Sequence, residues 1–215
     1  MNSSSSLPTP AEIRRTKSSH ISDYGNGLLY QLCKDHFEHN EGKYIVAKTL
    51  FIGRIYAAAL ERNAVEKSEN NDDFYAHTVV SVFKNSRLDD KLKSLKKIKV
   101  LAPENITEVL QTHGYLVERI MMITGHKNTS FCSKYLHFHL PGLFFIYDKR
   151  VREALGAIKM KLPDDLAKLK TVKNIDPSYT PVFLKCFAIK RMMAEKGLPL
   201  TNRQLDKILV ARANT

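Results

Sequence analysis

The chain has 215 residues, 43% of them hydrophobic, and a formal net charge of +12. That length suits one domain, or two small lobes sharing a core, and the composition excludes general disorder. The excess of lysine and arginine favours a polyanionic partner, with nucleic acid first and an anionic membrane surface second; a merely solvated basic surface is the plain alternative.

Cys33, Cys132 and Cys186 stand far apart with no metal-ligand spacing. They read as reduced thiols, and neither a metal nor another cofactor is expected. No apolar run approaches the roughly 20 residues that span a bilayer. No apolar stretch follows the N-terminal charges as it would in a secretory signal. The expected setting is a reducing cytoplasm, in association with the nucleoid.

Residues 1–20 are rich in Ser, Thr and Pro and are expected to form a flexible arm, whose Arg14, Arg15 and Lys17 are able to touch phosphates. Residues 21–215 are expected to form a single helical domain. Leu28, Leu29, Leu32 and Phe37 give near-helical spacing over Ser22 to His39. Lys43 to Asn63 is the clearest helix, apolar over most of its girth and so expected at the centre. Its Arg54 and Arg62 call for partners, one of them structural.

Asp72 and Asp73 suit the start of a helix running through Phe83, and residues 88–99 suit an exposed one. Pro103 and Glu104 suit the first turn of a helix through Met122, with Gly125 marking its end. Further helices are expected at 149–158, 163–170 and 178–196, and a last one opens at a capping box, Thr201-Asn-Arg-Gln204. Strand patterns are nearly absent, so the fold class is all-α, with at most a short extended piece at Phe144–Tyr147.

The segment Ser130 to Val151 carries the chemistry. Lys134 sits amid mostly apolar residues and shares a helix face with Ser130, Phe131, His137 and Phe138. A desolvated lysine is a nucleophile at neutral pH, whereas a lysine whose amine snorkels to water is not. Asp148 closes the apolar run Leu143 to Tyr147 and directly precedes a helix, where it is a natural N-cap. The turn Thr124 to Ser130 joins two helices and is able to offer backbone N–H groups to a phosphate.

A helical hairpin whose second helix opens with a lysine, followed by an apolar stretch ending in aspartate, resembles the helix-hairpin-helix DNA glycosylase superfamily in its 8-oxoguanine-glycosylase-like branch. The phrases Leu50 to Arg62 and Ser133 to Asp148 resemble those of bacterial proteins related to that group. The close match covers roughly residues 120–152.

The resemblance implies a compact two-lobed helical fold and a monomer acting on double-stranded DNA that contains a modified base. Asp148 would stabilise the cationic sugar, and Lys134 would form a Schiff base if the enzyme is also a lyase. Phosphate contacts would come from His126, Lys127, Asn128, Ser130, Lys149 and Arg150. Asn128 would take the hairpin's second left-handed position beside Gly125. Tyr56, Phe131, Tyr135 and Tyr147 are the aromatic candidates for the base pocket, each being core unless it lines the cleft. Oxidised purines or a phage-type modified base are the expected substrates, in repair or in phage defence. The alternatives are a non-catalytic helical DNA-binding protein and, below it, a HEPN-type RNase using Arg119 and His126.

Overall fold

A computed structural model describes residues 6–18, 21–65 and 70–214 of the protein, and among these residues the architecture is helical with no strand. In chain order the α-helices are α1 (Pro10–Arg15), α2 (Ile21–Asp35), α3 (Gly42–Ile55), α4 (Asn71–Asp73), α5 (Val80–Lys84), α6 (Leu88–Lys96), α7 (Ile106–Thr124), α8 (Thr129–His139), α9 (Lys149–Ala157), α10 (Asp164–Ala167), α11 (Tyr179–Glu195) and α12 (Asn202–Arg212). A π-helical turn, Phe74–Val79, runs α4 into α5. The predicted all-α class and the order of helices stand. No helix among the described residues is long and apolar enough to cross a membrane.

Helix α8 lies at the centre, against α2, α3 and α7, and Phe131 through His139 are all buried. Among these are five polar side chains, whose burial is tolerable only if each finds a partner. His137 Nδ1 donates to the Phe144 carbonyl at 2.8 Å, so its Nε2 accepts from the Tyr30 hydroxyl at 2.6 Å. The Tyr135 hydroxyl donates to His39 Nε2 at 2.7 Å, and the other nitrogen of that ring meets Asp89 at 2.5 Å. His139 Nδ1 donates to the Tyr135 carbonyl, and its Nε2 accepts from Lys48 at 3.2 Å.

The extended piece at residues 144–147, buried as far as Ile146, has no neighbouring strand among the described residues, so side chains take the place of a sheet ladder. Asn202 reaches the Phe144 carbonyl at 3.1 Å. Tyr179 Oη donates to the Phe145 carbonyl at 2.8 Å and accepts from the Phe145 amide at 3.1 Å. The Tyr147 amide donates to Ser133 Oγ at 3.0 Å. Helices α8, α11 and α12 thus fix the path by which the chain delivers Asp148.

Two sequence expectations are corrected. The helix expected over Lys43 to Asn63 ends at Ile55, because Ala57 is left-handed at φ 51° and the chain folds back onto α3. Gly53 permits this return, since a Cβ there would lie 3.1 Å from Ala59 Cα. Arg54 and Arg62 are consequently exposed and need no buried partner.

The flexible arm expected over residues 1–20 is instead docked where it is described, at residues 6–18; residues 1–5 and 19–20 lie outside the described residues. Thr9 and Glu12 form a capping box for α1. Arg212 of α12 clamps the segment, with Nε to Glu12 Oε1 at 2.7 Å and Nη1 to the Ser6 carbonyl at 2.6 Å. That ion pair is largely shielded from water, and it holds the Glu12 carboxyl at about 2 against the desolvation that opposes ionisation.

Candidate active site

Helices α9 and α12 pack together, which sets the N-terminus of α9 beside the inward face of α12. Asp148 is the N-cap of α9, and its side chain accepts from the Val151 amide at 2.8 Å. One oxygen, Oδ1, is spent on the cap; Oδ2 takes no hydrogen bond among the described residues. Cap and cleft position are therefore the same placement. The half-buried carboxylate lines a cavity of about 650 Å3, which is within the usual range for a small-ligand site.

Tyr56, Asn26, Arg203 and Asp206 share that cavity with Asp148. Tyr56 follows the end of α3, and its hydroxyl donates to Asn26 Oδ1 at 2.6 Å. Arg203 Nη1 donates to Asp206 Oδ2 at 2.5 Å, and its other terminal nitrogen lies 3.8 Å from Asp23. Asp206 is only 7% exposed, and its Oδ1 has no hydrogen-bond partner among the described residues. Burial raises its carboxyl to about 6 despite the attraction of Arg203. Arg15, Arg150 and Lys207 bring positive charge to the cavity surface.

Lys134 stands just behind this wall and is 2% exposed. Its amine donates to Ser130 Oγ at 2.5 Å and lies 5.4 Å from the centre of the Tyr56 ring. Desolvation lowers its pKa, while the charges of Asp148 and Asp206 work in the opposite direction. The buried lysine, the capping aspartate and a second buried carboxylate thus form one electrostatic cluster. The snorkelling alternative for Lys134 does not hold, because its amine does not reach water.

Of the aromatic candidates only Tyr56 lines the cavity. Phe131 and Tyr135 are core: Phe131 stacks on Tyr135, and Tyr135 hands its hydroxyl to His39. Tyr147 is half-buried outside the cavity, with its hydroxyl accepting from Arg152 at 3.3 Å.

The hairpin candidates divide in the same way. His126 and Lys127 are exposed on the four-residue turn between α7 and α8. Ser130 is occupied as the acceptor for Lys134. Lys149 is exposed and 3.8 Å from Glu153, and Arg150 lines the cavity. Gly125 adopts φ 66°, as its place at the end of α7 demands. Asn128 does not take a second left-handed position: its φ is −84°, and its side-chain amide closes the turn onto Thr124 Oγ1 at 2.7 Å. Arg119 lies over Tyr115, and α7 ends before His126, so these two do not share a helical face as an RNase pair.

Asp206, Arg203 and Asn26 were missed by sequence reasoning. A signal existed for Asp206: it interrupts the inward stripe Asn202, Leu205, Asp206, Leu209 of α12, where a carboxylate is out of place unless partnered. No protein-family model matches the chain, and neither a curated protein nor a solved structure does.

Proposed function

We propose that this protein is a DNA glycosylase that takes an extruded, modified base into the cavity beside Tyr56 and cleaves its bond to the sugar. One observation carries the reading: Asp148, with one oxygen uncommitted, lines a roomy cavity against which a desolvated lysine is buried. A base inside a duplex is out of reach of such a cavity, so the nucleotide must be flipped, at a cost of about a few kcal/mol that phosphate contacts offset. The net charge of +12, with Arg15, Arg150 and Lys207 at the cavity, suits those contacts. In this reading α7, its turn and α8 act as the helical hairpin, presenting His126 and Lys127 to the backbone.

As the base departs with the bonding electrons, positive charge grows on the sugar. The fixed carboxylate of Asp148 opposes it at little reorganisation cost. If Lys134 in its neutral form then bonds to the anomeric carbon and gives up a proton, opening of the sugar ring by cleavage of the C1′–O4′ bond, with O4′ taking up a proton, turns the adduct into a Schiff base that permits strand cleavage. If water attacks instead, the enzyme is monofunctional.

The test is release of bases from a panel of modified genomic DNAs, read by mass spectrometry, together with borohydride trapping. A Lys134-dependent covalent adduct supports a lyase. Binding to DNA without release of any base would overturn the enzyme reading in favour of a non-catalytic DNA-binding protein.

A further inference from the structure

Five basic side chains line the cavity: Arg15, Arg150, Arg203, Lys207 and Arg212. Three of them are already committed. Arg212 pairs with Glu12, Arg203 with Asp206 and Asp23, and Lys207 donates to Asp23 at 2.8 Å. Arg15 and Arg150 are exposed, and among the described residues they make neither an ion pair nor a side-chain hydrogen bond. Glu12 and Asp206 are spent on the committed cations, so the surplus positive charge at the cavity rests on these two arginines.

The two come from different helices. Helix α12 packs against both α1 and α9, and residues of all three bound the same cavity. Arg15 stands in the last turn of α1 and Arg150 in the first turn of α9. The Arg212–Glu12 clamp that docks α1 therefore also brings Arg15 to the cavity. The cavity is cationic at its exposed edge, whereas inward it offers the half-buried Asp148 and apolar surface from Tyr56, Ile146 and Ile208. A ligand matched to both ends carries an anion outside and an uncharged ring within, because an anion deep inside would meet Asp148 and a cation at the entrance would be repelled. Guanidinium forks fit phosphate oxygens in paired hydrogen bonds.

We propose that Arg15 and Arg150 form an anion subsite at the cavity mouth, which holds the phosphate of a nucleotide whose base lies inward against Tyr56. This rests on reading the cavity as a base pocket and deepens it. The N-terminal segment, docked through α12, supplies one half of the grip on the extruded nucleotide itself, and the hairpin turn is left for the flanking backbone.

The test uses the full chain with 2′-deoxyguanosine 5′-monophosphate and 2′-deoxyguanosine, which share base and sugar and differ in the phosphate. At low salt, calorimetric titration should show the nucleotide binding at least about 10-fold tighter, the usual worth of charge-assisted hydrogen bonds to an anion. Arg15→Ala and Arg150→Ala should each shrink that ratio about 3-fold, with Tm unchanged because neither side chain has a partner to lose. Lys99→Ala, which removes the same charge from an exposed position outside the cavity, should leave the ratio intact. Base release from DNA with a ratio near one would overturn the subsite and keep the glycosylase. An intact ratio with no base released from any DNA would sink the glycosylase and keep the nucleotide-phosphate subsite. An unchanged ratio in either arginine variant, an equal loss in Lys99→Ala, or no binding of either compound at millimolar concentration would overturn the subsite.

Discussion

Lys48 and Lys134 are both buried, desolvation lowers the pKa of both, and they are held in opposite ways. Lys48, wholly inside the core between α3 and α8, gives protons to the His36 carbonyl at 2.8 Å and to His139 Nε2 at 3.2 Å. It belongs to a network in which His39, Asp89, Tyr135 and His139 also have partners. Lys134 has one hydroxyl, one aromatic ring and two carboxylates that it does not bond to directly among the described residues. Buried polar groups that are fully satisfied hold a fold in place; groups left short of partners beside a cavity are poised for a ligand. Burial of a lysine is therefore not by itself a functional sign, and its unmet hydrogen-bonding capacity is the better one.

The largest expected effect tests the cavity side of that contrast. Asp148→Asn keeps an acceptor for the α9 cap but removes the charge, and base release should fall by about 100- to 1,000-fold. Single-turnover kinetics on a released base checks this, and a variant with more than a tenth of wild-type activity would remove Asp148 from the chemistry.

Next comes the pH dependence of the cavity carboxylate. The folded-state pKa of Asp206, at about 6, is raised above its ordinary 3.8. Its contribution to stability is thus fully present below about 3.8 and is lost as pH rises through about 6. Asp206→Asn, which stays uncharged, should gain on the wild type by up to about 3 kcal/mol between pH 4 and pH 7.5. Urea unfolding of both proteins at each pH measures the difference directly, and parallel curves would show that Asp206 ionises freely.

The two lysines themselves should then separate. Lys48→Met leaves the His36 carbonyl and His139 Nε2 without a donor and should cost about 1–3 kcal/mol, lowering Tm by about 2–4 °C for each kcal/mol in a chain of this size. Lys134→Met removes an under-partnered charge and should leave Tm unchanged or higher, while abolishing any borohydride-trapped adduct. Equal Tm losses in the two variants would erase the distinction between them. The smallest effect belongs to the exposed turn. Lys127→Ala should weaken DNA binding alike across sequences and reduce the slope of log affinity against log salt by about 1. An unchanged slope in fluorescence-anisotropy titrations would free the turn of phosphate contact.

Much of the phrase Ser133 to Asp148 that carries the resemblance proves to be structural. Ser133 and His137 bond to the backbone of the extended segment, while Tyr135 and His139 tie α8 to His39 and Lys48. These side chains keep their hydrogen bonds within the fold, so their unusual density looked like a site but mostly marks a polar core. Asp148 was legible because a cap position and a cleft position coincide there. Lys134 was legible as apolar in its surroundings, but only the packing of α8 against its neighbours decides that its amine is withheld from water.

Local rules in the chain determined the helices, the capping boxes at Thr9 and Thr201, the end of α7 at Gly125 and the cap at Asp148, because each depends on residues within one or two turns of one another. The early end of α3 at Ile55, the docking of α1 by Arg212 and the meeting of Lys134 with Asp148 and Asp206 were decided by tertiary structure alone. Asp206 lies 58 residues beyond Asp148 in the sequence. No local pattern couples positions so far apart; only the packing of α9 against α12 brings the two carboxylates to one cavity.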